Sequence, residues 1–125
     1  MQTILIVDDN IDQCKPLAML LKQFGYNSQY AIGGEAALSF VAVVVPDLVI
    51  LDVMMPDIDG LEVLRRLKAD IRTYPVPVVM FSAADDLRLE ADALSMGAAD
   101  YWVKTRIDYS RLKDRIARLL RVPDS

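Results

Sequence analysis

Short apolar runs of strand length alternate with segments whose apolar residues recur every three or four positions, five times along the chain. Ile4–Val7 is continuously apolar and ends in Asp8-Asp9, the pattern of a strand buried on both faces. Leu17, Leu20, Leu21 and Phe24 follow at helical spacing with Gly25 as the stop, and Pro16 predicts a kink or a later effective start. A short strand is expected at Asn27–Ala31, then a helix from Gly34 towards Val44, ended by Pro46. Leu48–Leu51 is the next buried strand and runs into Asp52, and residues 54–60 are turn-rich. Leu61, Leu64, Leu67 and Ile71 mark a third helix, and Pro75 and Pro77 bracket the entry to a strand at Val78–Phe81. Leu87, Ala91 and Leu94 trace a fourth helix closed by Gly97. Tyr101–Val103 is a fifth strand, and Leu112, Ile116, Leu119 and Leu120 give the last helix its buried stripe.

Strands that alternate with helices in this way need right-handed parallel crossovers, with helices on both faces of the sheet. The fold class is therefore α/β, a doubly wound five-stranded parallel sheet. No repeat, low-complexity tract or linker divides the chain, so residues 1–125 are expected to form one domain. Hydrophobic residues make up 54% of the sequence, enough for it to fold unaided.

A net charge of −4 argues against direct nucleic-acid binding by this domain. No apolar run approaches the roughly 20 residues that span a bilayer, and the first residues lack the marks of a signal peptide. The single cysteine, Cys14, fits a reducing cytoplasm and has no adjacent base that would make it a reactive thiol. Histidine is absent, which excludes histidine metal sites, histidine triads and phosphohistidine chemistry. Any chemistry must run on carboxylates, lysine, hydroxyls or the thiol.

Two predicted strands end in acid: Asp8-Asp9 after the first and Asp52 after the third. In an open doubly wound sheet, sites form at the carboxyl ends of strands where the strand order reverses. With order 2-1-3-4-5, that crevice lies between strands one and three and gathers the three carboxylates. Crowded carboxylates raise a pKa unless a cation joins them, and an all-oxygen set suits a hard ion such as magnesium. The fourth strand ends at Ser82, with small Ala83 and Ala84 behind it, and the fifth ends at Lys104. An oxygen nucleophile, a cation site and two hydrogen-bond donors on one rim are what phosphoryl transfer to a carboxylate requires.

The stretches ILIVDDN, PDLVILDVMMPDIDG, VPVVMFSA and GAADYWVK resemble the receiver domains of two-component response regulators, over essentially the whole chain. The resemblance implies a flavodoxin-like sheet of order 2-1-3-4-5, with Asp52 as the phosphoacceptor. It also implies Mg2+ (or Mn2+) held by Asp8, Asp9, Asp52 and the backbone carbonyl of Met54. Lys104 matches the lysine that pairs with phosphate, Ser82 the switch hydroxyl and Tyr101 the aromatic switch position. Pro56 and Gly60 match the turn after the phosphoacceptor strand. The implied partners are a sensor histidine kinase or histidine phosphotransfer protein and a downstream protein or output domain, read through the fourth helix, fifth strand and fifth helix. Thr105 departs from the proline that usually follows the lysine. A cis bond before a non-proline residue costs about 2.5–4 kcal/mol, so a trans bond is expected there.

Rival readings make specific demands. Phosphatases that pass through aspartyl phosphate want a second Asp two residues after the nucleophile, where this chain has Met54. A flavin binder wants a phosphate-cradling loop after the first strand, where this chain has acids. A pseudo-receiver, an interaction module independent of phosphorylation, is the alternative that Thr105 favours. Met54 and Ala84 flank the site without a group to orient water, which predicts slow autodephosphorylation. Trp102 reads as packing. The bases Lys104, Arg106, Arg111, Lys113, Arg115, Arg118 and Arg121 read as a solvated face suited to the end of a helix. Phe40–Val45 is more apolar than a one-sided helix needs, so part of it should be exposed as a homodimer or partner contact.

Overall fold

The computed structural model describes residues 1–120. Arg121, the last of the C-terminal bases, lies outside the described residues. The elements run β1 (Thr3–Asp8), α1 (Ile11–Gln23), β2 (Asn27–Ile32), α2 (Gly34–Val43), β3 (Leu48–Leu51), α3 (Gly60–Ala69), β4 (Val78–Ser82), α4 (Leu87–Ser95), β5 (Asp100–Val103) and α5 (Tyr109–Leu120). All strand pairs are parallel, as the alternation of elements predicts, and the order is β2-β1-β3-β4-β5, as the family resemblance implies.

Side-chain alternation divides the central strands between two cores. Leu5, Val7, Val49, Leu51, Val78 and Met80 face α2, α3 and α4. Ile4, Ile6, Leu48, Ile50 and Val79 face α1 and α5. Because both faces are covered, the strands carry no polar face, which is why they read as continuous apolar runs. The same alternation sends Tyr101 to the first core and Trp102 to the second, so Trp102 packs as expected.

Three expectations need correction. Helix α1 begins at Ile11, capped by the Asn10 side chain on the Asp12 amide, and Pro16 lies inside it without setting its start. Helix α3 ends at Ala69, so Ile71 lies beyond it at 88% exposure. There Asp70 starts a turn, accepting from the Arg72, Thr73 and Tyr74 amides. Helix α4 presents Leu87, Ala91 and Leu94 outward, while Leu89, Ala93 and Met96 pack inward. Its phase is set at its exit, where the Ala98 amide bonds the Ala93 carbonyl and the Ala99 amide bonds Val78 on β4.

Val43, Val44 and Val45 are exposed, as the apolar excess of that segment predicts. Three of the C-terminal bases pair with acids: Arg106 with Asp85, Arg111 with Asp108 and Arg115 with Asp100.

Candidate functional site

The site is assembled by the sheet. The Asp52 amide continues the ladder onto the Val7 carbonyl at 2.9 Å, setting the end of β3 beside the end of β1. The Lys104 amide does the same to the Ser82 carbonyl at 2.8 Å, setting the end of β5 beside the end of β4. Asp8, Asp9 and Asp52 each offer an oxygen, and these oxygens lie within 4.8 Å of one another. Asp8 and Asp52 are buried and Asp9 is exposed, so the cluster has two walls and one open side.

Lys104 reaches this cluster despite the residue that follows it. Its ammonium lies 2.7 Å from an Asp8 oxygen and 3.7 Å from an Asp52 oxygen. Among the described residues every peptide bond is trans, the Lys104–Thr105 bond included. Gln13, in the first turn of α1, also accepts a hydrogen bond from this ammonium. The sequence reading missed Gln13. Its position, in the first turn of the helix that leaves the acidic pair, was the available signal.

Ser82 is fully buried, and its hydroxyl oxygen accepts the Ala84 amide at 3.0 Å. The Tyr101 ring is buried too, and its hydroxyl donates to the Ala84 carbonyl at 2.7 Å. Both side chains named as switch candidates therefore hold the same residue of the β4–α4 loop. Met54 is 70% exposed at the mouth of the site. Its amide donates to the Asp52 carboxylate.

Burial pushes the Asp52 carboxyl up to about 6. The charges of Asp8 and Asp9 add to this rise, while Lys104 and the Met54 amide oppose it. The upward direction matches the sequence expectation, but desolvation and not mutual repulsion is its first cause. With a value of about 6, Asp52 is still predominantly ionised at neutral pH. Burial also pushes the Cys14 thiol up to about 11, so it is a packed side chain and no thiolate.

The donor set fits a hard divalent cation. It is all oxygen, two of its carboxylates are withdrawn from water, and a single ammonium offsets three negative charges. The capping role that could otherwise explain Asp8-Asp9 belongs instead to Asn10.

A family model, the response regulator receiver domain, matches residues 4–117. The chain belongs to that family. This receiver is 36% identical over 117 residues to the transcriptional regulatory protein ZraR of Salmonella typhimurium, covering 94% of this chain and 26% of that protein. It is 34% identical over 124 residues to the DNA-binding dual master transcriptional regulator RpaA of Synechocystis, covering 99% of this chain and 51% of that protein. The receiver thus spans between a quarter and about half the length of these relatives. Among solved structures, a response regulator from Chloroflexus aurantiacus superposes with a TM-score of 0.88 at 32% identity, covering 95% of this chain and 97% of that one. The BeF3-activated receiver domain of Klebsiella pneumoniae RstA superposes with a TM-score of 0.88 at 28% identity, covering 97% and 100%. No helix among the described residues is long and apolar enough to cross a membrane.

Proposed function

We propose that this receiver is a phosphorylation-driven switch in which Asp52 takes a phosphoryl group from the phosphohistidine of a sensor kinase or phosphotransfer protein. A carboxylate oxygen of Asp52 attacks phosphorus, the donor P–N bond breaks, and its electron pair stays on the departing imidazole. The observation that carries this reading is the Lys104 ammonium, 2.7 Å from Asp8 and 3.7 Å from Asp52 at the open crevice. There it can follow the charge onto the phosphoryl oxygens.

Asp8, Asp9, Asp52 and the Met54 carbonyl would hold Mg2+ or Mn2+. Such an ion, once bound, neutralises charge on the entering group and draws electron density from phosphorus. Asp52 supplies the nucleophile, Lys104 the charge pairing, and the buried Ser82 hydroxyl a donor once it releases the Ala84 amide. Movement of Ala84 would carry Tyr101 and the start of α4 with it. A dianionic group that draws Ser82 thereby biases α4, β5 and α5 towards a second arrangement. The reader of that face would be a downstream protein or an output domain, in the cytoplasm. Met54 and Ala84 offer no group to orient water, so the phosphoryl group should be lost slowly.

The pseudo-receiver alternative drew its support from Thr105. Lys104 lying at the carboxylates, with a trans bond to Thr105, weighs against it. The deciding measurement is intact mass after incubation with magnesium and a small phosphodonor, for the native chain and Asp52→Asn. A single adduct that requires magnesium and vanishes in the variant is expected, persisting well beyond seconds after donor removal. A native chain that binds magnesium yet takes no adduct would return the pseudo-receiver reading, and loss within seconds would refute slow hydrolysis.

A further inference from the structure

Helix α2 begins without a cap of its own. Its N-cap residue is Gly33, which has no side chain to accept the first free amides. The acceptor comes from elsewhere in the chain. Asp57, on the β3–α3 loop, takes the Gly34 amide at 3.1 Å and the Glu35 amide at 2.9 Å. These bonds, with that of the Ile58 amide, hold the Asp57 carboxyl below the usual carboxylate range.

The glycine pair makes this approach feasible. Gly33 has a φ of 98°, and a Cβ there would lie 3.0 Å from an Asp57 oxygen. A Cβ on Gly34 would lie 2.9 Å from both Ile58 Cβ and Val63 Cγ2. The start of α2 is thus shaped to receive residues 57 and 58 of the loop.

The same loop carries the backbone nearest the phosphoacceptor. Its end is fixed by the Gly60 amide on the Val53 carbonyl at 2.8 Å, and a Cβ on Gly60 would lie 2.1 Å from the Asp52 carbonyl. Between these anchors, Met54 and Pro56 are exposed. Within the loop the Met54 amide bonds the Asp52 carboxylate and Met55 is buried in the core, and among the described residues the two Asp57 bonds add the polar ties from the middle of this loop to another element. On the other side, the Gly33 amide donates to the Asp8 carbonyl at 2.9 Å. One carboxylate therefore couples the Asp52 loop, through the start of α2, to the strand that bears Asp8.

We propose that Asp57 is a positioning residue: by clamping the β3–α3 loop onto the start of α2, it fixes the Met54 main chain beside Asp52 and so sets the cation affinity of the carboxylate cluster. This rests on the reading of that cluster as a cation site, and it adds a residue that touches neither ion nor phosphoryl group. Outer positioning groups of this kind alter metal affinity without ligating the metal.

The test is magnesium titration by calorimetry of the native chain, Asp57→Ala and Asp57→Asn, with melting curves in chelator and amide hydrogen exchange of the metal-free proteins. Asp57→Ala is expected to weaken magnesium binding about ten-fold and to speed exchange at Glu35 and Met54 together. Asp57→Asn keeps a side-chain carbonyl for one of the amides and should recover most of the affinity. A variant that melts earlier but changes magnesium affinity less than about two-fold would reduce Asp57 to a helix cap and overturn the proposal. Magnesium binding by a native chain that takes no phosphoryl group would remove the phosphoacceptor reading while leaving the clamp to be judged on affinity. No magnesium binding by the native chain would overturn both.

Discussion

Helices α3 and α4 are of similar length and flank the same core, yet they are held very differently. Helix α3 buries Val63, Leu64 and Leu67, and Gly60 at its start lies hard against the Asp52 backbone. Helix α4 buries only Ala93 fully, keeps Leu87 at 80% exposure, and is entered through a loop tied at Ala84 by one hydroxyl donor and one hydroxyl acceptor. Buried apolar area is the main stabilising term, so α3 belongs to the rigid half of the domain. The α4 side, with less buried apolar surface, is expected to shift more readily. That division suits a switch. In the proposed mechanism the carboxylates stay in register for chemistry while the face that a partner reads takes two arrangements.

The sharpest test of this contrast is truncation on each helix. Leu64→Ala should cost about 2–5 kcal/mol in urea unfolding, through lost burial and an unfilled cavity. Leu94→Ala, on the outer face of α4, should change stability by no more than about 0.5 kcal/mol. Equal costs would erase the distinction between the two helices.

A smaller effect separates the two halves by charge. The folded pKa of Asp52 is raised to about 6, so between its unfolded value and pH 6 the native state holds a proton that the unfolded state has lost. Stability then falls as pH rises through that window, because the native state binds more protons. In chelator, Asp52→Asn should therefore be more stable than the native chain above pH 6, by about 2 kcal/mol, with the gap closing below about pH 4. Thermal melts of both proteins across that range would reveal it, and a gap that grows on acidification would contradict the buried-carboxylate account.

On the movable half, Tyr101→Phe removes the 2.7 Å bond to the Ala84 carbonyl while keeping the ring. The expected cost is about 1 kcal/mol or less. Hydrogen exchange should rise at the start of α4 and stay unchanged in α3. A global rise would mean that α4 is not a separate unit.

The outcomes for α4 and for the acidic rim show where sequence reading holds. Asp8, Asp9, Asp52, Ser82 and Lys104 were legible because each closes an apolar run, and a parallel sheet brings strand ends to one edge. The phase of α4 was not legible. Leu87, Ala91 and Leu94 form one apolar series on that helix, and Leu89, Ala93 and Met96 form another with similar spacing. Periodicity cannot choose between them. Gln13 and Asp57 escaped for a related reason, since each acts on a partner distant in sequence, Lys104 and the start of α2 respectively.

By itself, the order of apolar and polar residues determined the alternation of five strands with five helices, the burial of the sheet on both faces, and the chemical identity of the rim. Those are consequences of local spacing and of burial, which each segment states for itself. Only the tertiary structure decided which face of α4 meets the sheet, that Lys104 reaches the carboxylates across a trans bond to Thr105, and that a carboxylate from one loop caps the helix after another. These depend on distances between residues far apart in the chain, and such distances exist only once the sheet has closed its register.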